Sequence, residues 1–424
     1  MSPFCPSRQM TRAVPSHSES APNPTLERPL RVAWFPYFPI EWLPDLPPEL
    51  QGLTWQHPAT WQRVLWEEFK KYPQLKLDIL IPRSQFGQTH VFERDGTRFH
   101  CIRTPRGLRF LSLFWWDTLV IRRELKRIRP DLVHAWGTEF GGAAIAGRLN
   151  YPALVTMQGI LTWYGSVFPL NRHMRLSRFL EPGSLRHVRI TTCESRFGMH
   201  YLADRYPHLK LLQVEHAPNP IFSRVQRHPQ QSPKRILCVG AFVYWKGADV
   251  VFKALEEIEA DFEVVWAGAG NMELENSLRA QVSAEIWSKV TFKHDLPPEK
   301  IAEELARATV LVHAARADNS PNSVKEAVVA GVPVIATNTG GIPDYVISGK
   351  NGFLFESGDF QDCRAKIRTA FEHPLFSKGA VDPGTLEEMR RYLSAETMAR
   401  KFYAAYLETL RTYRVPGLNV PQEK

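Results

Sequence analysis

Asp318-Asn-Ser-Pro-Asn-Ser-Val-Lys-Glu326, running on into Ala-Val-Val-Ala-Gly331-Val-Pro333, is the stretch that decides how this chain folds. Ser320 reads as a helix N-cap, Pro321 as the first helical position and Gly331 as the residue that stops the helix. The apolar run Val310 to Val312 just before it reads as a buried strand. A strand followed by a short helix leaves free N–H groups and the positive end of the helix dipole at the carboxyl edge of a sheet, where a diphosphate is favoured. Val324, Ala327 and Val328 form the buried stripe, and Glu326 points away from them, on the side of Asn322. Helical side chains lean toward the N-terminus, so Glu326 reaches toward the same edge. A carboxylate accepts two hydroxyl hydrogen bonds, which is how a ribose is commonly held. The plainer reading is a capped helix with solvated acids.

Short apolar runs recur on either side, at Ile236–Val239, Val264–Ala267, Val290–Phe292 and Val332–Ala336, each followed by a helical segment. Runs apolar on both faces indicate buried parallel strands. Residues 233–385 therefore read as a doubly wound α/β domain whose ligands lie beyond the carboxyl ends of its strands. Two further segments fall at that edge. In Gly240-Ala-Phe-Val-Tyr-Trp-Lys246-Gly247 the glycines let backbone approach a ligand, and Lys246 is a point charge suited to phosphate oxygens, although a lysine in a surface turn reads the same way. Ala267-Gly268-Ala-Gly270 is a weaker signal of the same kind. The first half, residues 29–222, carries candidate strands at Val32–Phe35, Leu77–Ile81, Asp131–Trp136, Ala153–Met157 and Arg189–Thr192, with helical patterns at Trp61–Lys71 and Leu119–Arg127. That alternation predicts a second parallel sheet covered on both faces. Pro218, Pro220, Pro229 and Pro233 mark a linker between the halves. Ala395, Met398, Phe402, Tyr403, Tyr406 and Leu410 recur at helical spacing, which predicts that residues 386–412 pack back across both domains. Residues 1–28, polar and rich in Ser and Pro, and the tail after Val415 read as disordered.

Composition is that of a globular protein, and 424 residues exceed one ordinary core. No run of ~20 uncharged apolar residues suggests a transmembrane helix, and no signal-peptide stretch is apparent. Cys5, Cys101, Cys193, Cys238 and Cys363 are scattered and show no metal-ligand spacing, so a reducing, cytoplasmic compartment is expected. The net charge of +9 favours acidic partners such as phosphates or an anionic membrane face, and no nucleic-acid motif accompanies it.

Taken together, these segments resemble the retaining glycosyltransferases of family 4 (glycosyltransferase group 1), which have the GT-B fold of two facing Rossmann-like domains. Gly240–Gly247, Gly268–Gly270, the Asp318–Glu326 span, Ala330-Gly-Val-Pro333, Gly340-Gly-Ile-Pro-Asp344 and Asn351-Gly-Phe-Leu354 carry the resemblance, in the family's order. It is strong over residues 233–360 and weaker over 29–222. It implies an enzyme that moves a sugar from a nucleotide-diphosphate sugar to the hydroxyl of a glycan or lipid-linked acceptor, in cell-envelope or exopolysaccharide synthesis, with no cofactor and no obligatory metal. By the resemblance, Glu326 binds the ribose and Asp318, in place of the first glutamate of an E-x7-E pattern, faces the sugar. Lys246 and the backbone from Asn319 through Ser320 and Asn322 to Ser323 hold the diphosphate, beside Gly240 and Gly268. Two departures stand out: Ala241 replaces an arginine common in the family, and the first acid is one methylene shorter.

The first half is less regular. His134 and Glu139, at a strand end, are candidates to contact the sugar or acceptor, His134 as a catalytic group, although a histidine there also reads as structural. Gln158 stands where relatives carry a histidine; it cannot act as a base and is expected only to hydrogen-bond. The insertion Phe38–Pro48 with His57-Pro-Ala-Thr-Trp61 is a candidate acceptor lining. Asn171–Arg189, basic and aromatic, reads either as a solvated helix face or as a surface for peripheral association with the inner membrane face. A nucleotide-sugar epimerase or hydrolase, or a non-catalytic nucleotide-sugar-binding protein, remains the alternative.

Overall fold

The computed structural model describes residues 28–53 and 59–415. The expectations of disorder for the N-terminal segment and the tail, and the assignment of His57, fall outside them, apart from Arg28 at the boundary.

Two sheets organise the chain. The first comprises β1 (Leu30–Phe35), β2 (Leu75–Arg83), β3 (His90–Arg94), β4 (Thr97–Arg103), β5 (Leu132–Trp136), β6 (Ala153–Met157), β7 (Ile190–Cys193) and β8 (Lys210–Gln213). Their order is β3-β4-β2-β1-β5-β6-β7-β8, parallel except for the β3–β4 hairpin. The second comprises β9 (Lys234–Val239), β10 (Phe262–Ala267), β11 (Val290–Lys293), β12 (Val310–His313), β13 (Val334–Thr337) and β14 (Gly352–Phe355), in the order β11-β10-β9-β12-β13-β14. All the pairings of the second sheet are parallel. Central strands such as β5, β6 and β12 are buried along their whole length, as strands covered by helices on both faces must be. Neither half departs from the α/β class that the alternating pattern implies: this is the GT-B architecture.

The direction of chain crossover reverses between β1 and β5 in the first sheet and between β9 and β12 in the second. At such switch points the loops leave the sheet in opposite directions and open a crevice at the carboxyl edge. The C-terminal segment joins the two bodies. Met389, on the helix Pro383–Tyr392, is buried in the core of the second domain. The helix Ala395–Tyr413 instead buries Met398, Phe402, Tyr403, Tyr406 and Leu410 in the core of the first. Trp34 on β1 donates its indole N–H to the Tyr406 hydroxyl at 2.9 Å, which fixes the register of that helix on the sheet.

Candidate functional site

The carboxyl edge of the second sheet is built by the loops either side of its switch point. Gly240 closes β9, and its carbonyl accepts the Trp266 indole N–H at 2.9 Å; Gly268 closes β10 and donates to Lys293 O at 2.9 Å. Gly247 has φ of 76°, and a Cβ there would stand 1.9 Å from Ala314 O, so only glycine lets the loop after β9 lie against the loop after β12. This contact brings Lys246 Nζ to 2.5 Å from Asp318 Oδ2, with His313 Nε2 at 3.6 Å from the same oxygen. Burial works to raise the Asp318 pKa, but Lys246 and His313 outweigh it and hold the carboxyl well below the ordinary range.

The helix that follows spans Asn322–Ala330 and ends at Gly331 with φ of 78°, the left-handed stop expected of that glycine. Its start differs from the sequence reading by one residue. Pro321 remains extended at ψ of 122° and no side chain caps the helix. Ser320 is not the cap, because its hydroxyl pairs with the Tyr345 hydroxyl at 2.8 Å. The first N–H groups, at Asn322 and Ser323, therefore lack side-chain partners among the described residues, the condition for an anion site at a helix N-terminus. The Asn319 N–H is directed at Tyr164 Oη, 3.2 Å away. Glu326 lies one turn further on, half-buried and without a hydrogen bond among the described residues. Burial pushes its carboxyl up to about 7. It opens into a cavity of 860 Å³ between the domains, whose other walls include Trp42, Arg63 and Glu67 of the first domain, Asn219 and Pro220 of the connection, and Leu296–Glu299 after β11. A volume of this order accommodates a nucleoside. The cavity wall at Leu296–Glu299 was missed from sequence; its signal was the position after the apolar run Val290–Phe292.

The carboxyl edge of the first sheet faces it from the first domain. Tyr37, after β1, donates its hydroxyl to Gln158 Oε1 at 2.5 Å, and Gln158 O accepts Asn319 Nδ2 at 2.7 Å. Glu139, after β5, accepts the Gly159 N–H at 2.6 Å on Oε1, while its Oε2 is buried without a partner among the described residues. A Cβ at Gly137 would lie 2.2 Å from that oxygen, so the loop's glycine makes room for the carboxylate. Burial pushes Glu139 up to about 7 against the opposing effect of the backbone donors around it.

His134 is not part of this edge, and its assignment as a catalytic group is corrected. It is 0% exposed, bonded to Tyr406 Oη at 2.9 Å and Thr156 Oγ1 at 2.6 Å, and wedged against Trp136 at 4.1 Å. Burial keeps the ring neutral. Its place is in the core, seating the C-terminal helix.

A second feature that the sequence did not reveal joins the domains. Lys325, 0% exposed, bridges to Glu194 at 2.9 Å, and Glu194 accepts from His216 Nδ1 at 3.1 Å. Burial lowers the His216 pKa, and His216 and Lys325 together draw the Glu194 carboxyl down to about 2 against its own burial. Arg196 and Asp344 add an ion pair at 2.6 Å across the same interface. No group of three or more His, Cys, Asp or Glu among the described residues is arranged to hold a metal.

The family model for glycosyl transferases group 1 matches residues 221–391, and that for glycosyltransferase family 4 matches residues 63–221. The two matches meet at the connection between the domains and together span about three quarters of the chain. The chain belongs to glycosyltransferase family 4. A sulfoquinovosyl transferase of Arabidopsis thaliana is 24% identical over 292 residues, 63% of this chain and 55% of that protein. An uncharacterized glycosyltransferase of Methanocaldococcus jannaschii is 30% identical over 133 residues, 31% of this chain and 36% of the relative. This family 4 member thus spans about a third to a half of the length of these two relatives. Among solved structures, a sucrose-phosphate synthase from Thermosynechococcus elongatus superposes with a TM-score of 0.74 at 16% identity, over 90% of this chain and 99% of that one. Anabaena Alr3699/HepE in complex with UDP-glucose superposes with a TM-score of 0.65 at 14% identity, over 89% and 100%. At these identities the likeness establishes the GT-B fold alone.

Proposed function

We propose that this family 4 member transfers a sugar from a nucleoside-diphosphate sugar to an acceptor hydroxyl with retention of anomeric configuration, and that the acceptor is a glycan or a lipid-linked molecule of the cell envelope. The observation that carries the reading is the convergence, at one edge of one sheet, of the Lys246–Asp318 pair, the uncapped start of the helix Asn322–Ala330, and Glu326 opening into the interdomain cavity. In this reading the nucleoside occupies the cavity with its ribose hydroxyls on Glu326. The diphosphate lies at the N-terminus of the helix, with Asn322 and Ser323 N–H and Lys246 donating. Asp318 faces the sugar. The bond between the anomeric carbon and the diphosphate oxygen breaks while the acceptor oxygen bonds to the same face of that carbon, and the acceptor proton passes to the departing diphosphate. Negative charge then grows on the leaving diphosphate, where the ammonium and the fixed N–H dipoles stabilise it in a site poor in water. Glu139 and Gln158 orient the acceptor side.

The arginine absent at Ala241 is not replaced by Arg316. Arg316, two residues before Asp318, turns its guanidinium to Asp249 at 2.7 Å. Lys246 and the helix carry the leaving-group charge. Support for the donor class comes from Alr3699/HepE, described in complex with UDP-glucose. Support for a lipid-linked acceptor comes from the mycobacterial relative named as a GDP-mannose-dependent phosphatidylinositol monomannoside mannosyltransferase. The test is a panel of nucleotide sugars incubated with and without envelope extract, followed for released nucleoside diphosphate. Release that requires the extract, with label transferred to it, is expected. Conversion of the sugar without any acceptor would place the protein with the epimerases or hydrolases, and binding without release would make it a binding protein.

A further inference from the structure

Independently of the reaction, the surface chemistry of the first domain is uneven. Twelve large apolar side chains are exposed among the described residues, and eight of them lie between residues 110 and 179. Leu111 is 84% exposed, Phe179 78%, Leu119 53% and Trp115 50%. They sit on two neighbouring elements. The helix Leu108–Leu111 and the start of the helix Trp115–Ile128 form one; the helix Arg172–Leu185 forms the other. The Phe110 ring packs on His173 with centroids 4.6 Å apart, which joins the two. Phe114, buried between them with φ of 67°, is the anchor from which Trp115 and Trp116 turn outward.

Charge follows the same surface. Residues 103–189 contain fourteen Lys and Arg against five Asp and Glu, an excess of nine that equals the net charge of the whole chain, +9. None of the five acids is exposed: Asp117, Glu124 and Glu181 are buried, and Asp131 and Glu139 are half-buried. Arg106, Arg123, Arg172, Arg175, Arg178 and Arg186 are all exposed. Contiguous exposed apolar groups on a globular surface mark a contact site. Tryptophans and aliphatic tips set among cations, with acids withdrawn, suit a surface that is apolar beneath a negatively charged layer.

We propose that this face docks the protein on an anionic lipid bilayer, with Leu111, Trp115, Trp116, Leu119 and Phe179 inserted at the headgroup boundary and the surrounding arginines on lipid phosphates. A nucleic acid would satisfy the arginines but not the aliphatic tips. The face adjoins the carboxyl edge of the first sheet, since Ser177 Oγ on the same helix donates to Glu139 O at 2.7 Å, so docking brings Glu139 and Gln158 near the bilayer.

The experiment is cosedimentation of the full chain with phosphatidylglycerol-containing vesicles and with phosphatidylcholine vesicles, alongside tryptophan emission and competition by single-stranded DNA. Binding to the anionic vesicles, a blue shift in emission and loss of binding at high salt are expected. The exposed double variant Leu111→Ser/Phe179→Ser and the charge reversal Arg172→Glu/Arg175→Glu should each lower binding on the order of tenfold or more at unchanged melting temperature. Wild-type protein that ignores anionic vesicles, binds neutral ones equally, or binds only DNA would overturn the proposal, as would folded variants that bind like wild type. If a variant fails to fold, the wild-type emission shift and salt response decide.

Discussion

At the carboxyl edge of the second sheet a buried acid, Asp318, is matched by Lys246 at 2.5 Å and stays ionised far below neutrality. At the same edge of the first sheet a buried acid, Glu139, meets only backbone N–H on one oxygen and nothing on the other among the described residues, and its carboxyl is pushed up to about 7. The fold is the same and so is the position relative to the switch point, yet one of these two acids holds a fixed charge and the other a charge that depends on pH. A fixed cation and helix dipole are what a diphosphate needs. The contrast teaches that the partner opposite a buried acid, and not its place in the fold, sets its charge: Glu326, which has no cation at its carboxylate among the described residues, shares the raised value of Glu139.

The largest effect is expected where the two regions are bolted together. Lys325→Met leaves Glu194 buried without its lysine partner and should lower stability by about 3–5 kcal/mol in denaturant unfolding. The double variant Glu194→Gln/Lys325→Met should recover most of that loss, because the charge and its partner go together. A Lys325→Met protein as stable as wild type would mean that the domains do not close on this pair in solution. Next comes the fixed-charge edge. Lys246→Ala should reduce turnover by about 10²–10³-fold, the usual loss for one donor aimed at developing negative charge, with a much smaller change at the acceptor KM.

The smallest effect is the most specific to the contrast. A carboxyl whose folded pKa is raised to about 7 takes up a proton on folding between the ordinary carboxyl range and that value. The folded state therefore loses stability as pH rises through this window, and the loss is complete above it. Glu139→Gln should raise the melting temperature at pH 8 and leave it nearly unchanged at pH 4. An equal shift at both pH values would show that Glu139 is not the titrating group.

How much of this was legible depended on whether a residue's role is local. The second domain was readable because strands such as Val310–His313 are apolar on both faces and the glycines at 240, 247 and 331 punctuate them. Lys246 and Asp318 are legible as residues of one sheet edge because each follows the carboxyl end of an apolar strand. His134 was misread because a strand end was assumed. It lies in the middle of Leu132–Trp136, a run buried at every position, where a histidine belongs to the core. Ser320 was misread as a cap because its hydroxyl's true partner, Tyr345, comes from a later turn. The β3–β4 hairpin was overlooked although Asp95-Gly96, with φ of 47° and 74°, is a strong two-residue turn signal. The Glu194–Lys325 bridge had no local signal, since its partners are 131 residues apart and meet only when the domains close.

The account rests on a nucleoside diphosphate bound between Glu326 and the start of the helix Asn322–Ala330. Calorimetric titration of UDP and GDP into wild type and Glu326→Ala tests it most directly. For whichever nucleotide binds, the variant should bind on the order of tenfold to a hundredfold more weakly at an unchanged melting temperature, as two hydrogen bonds to a charged group are lost. Equal affinity of the folded variant and wild type would contradict the account.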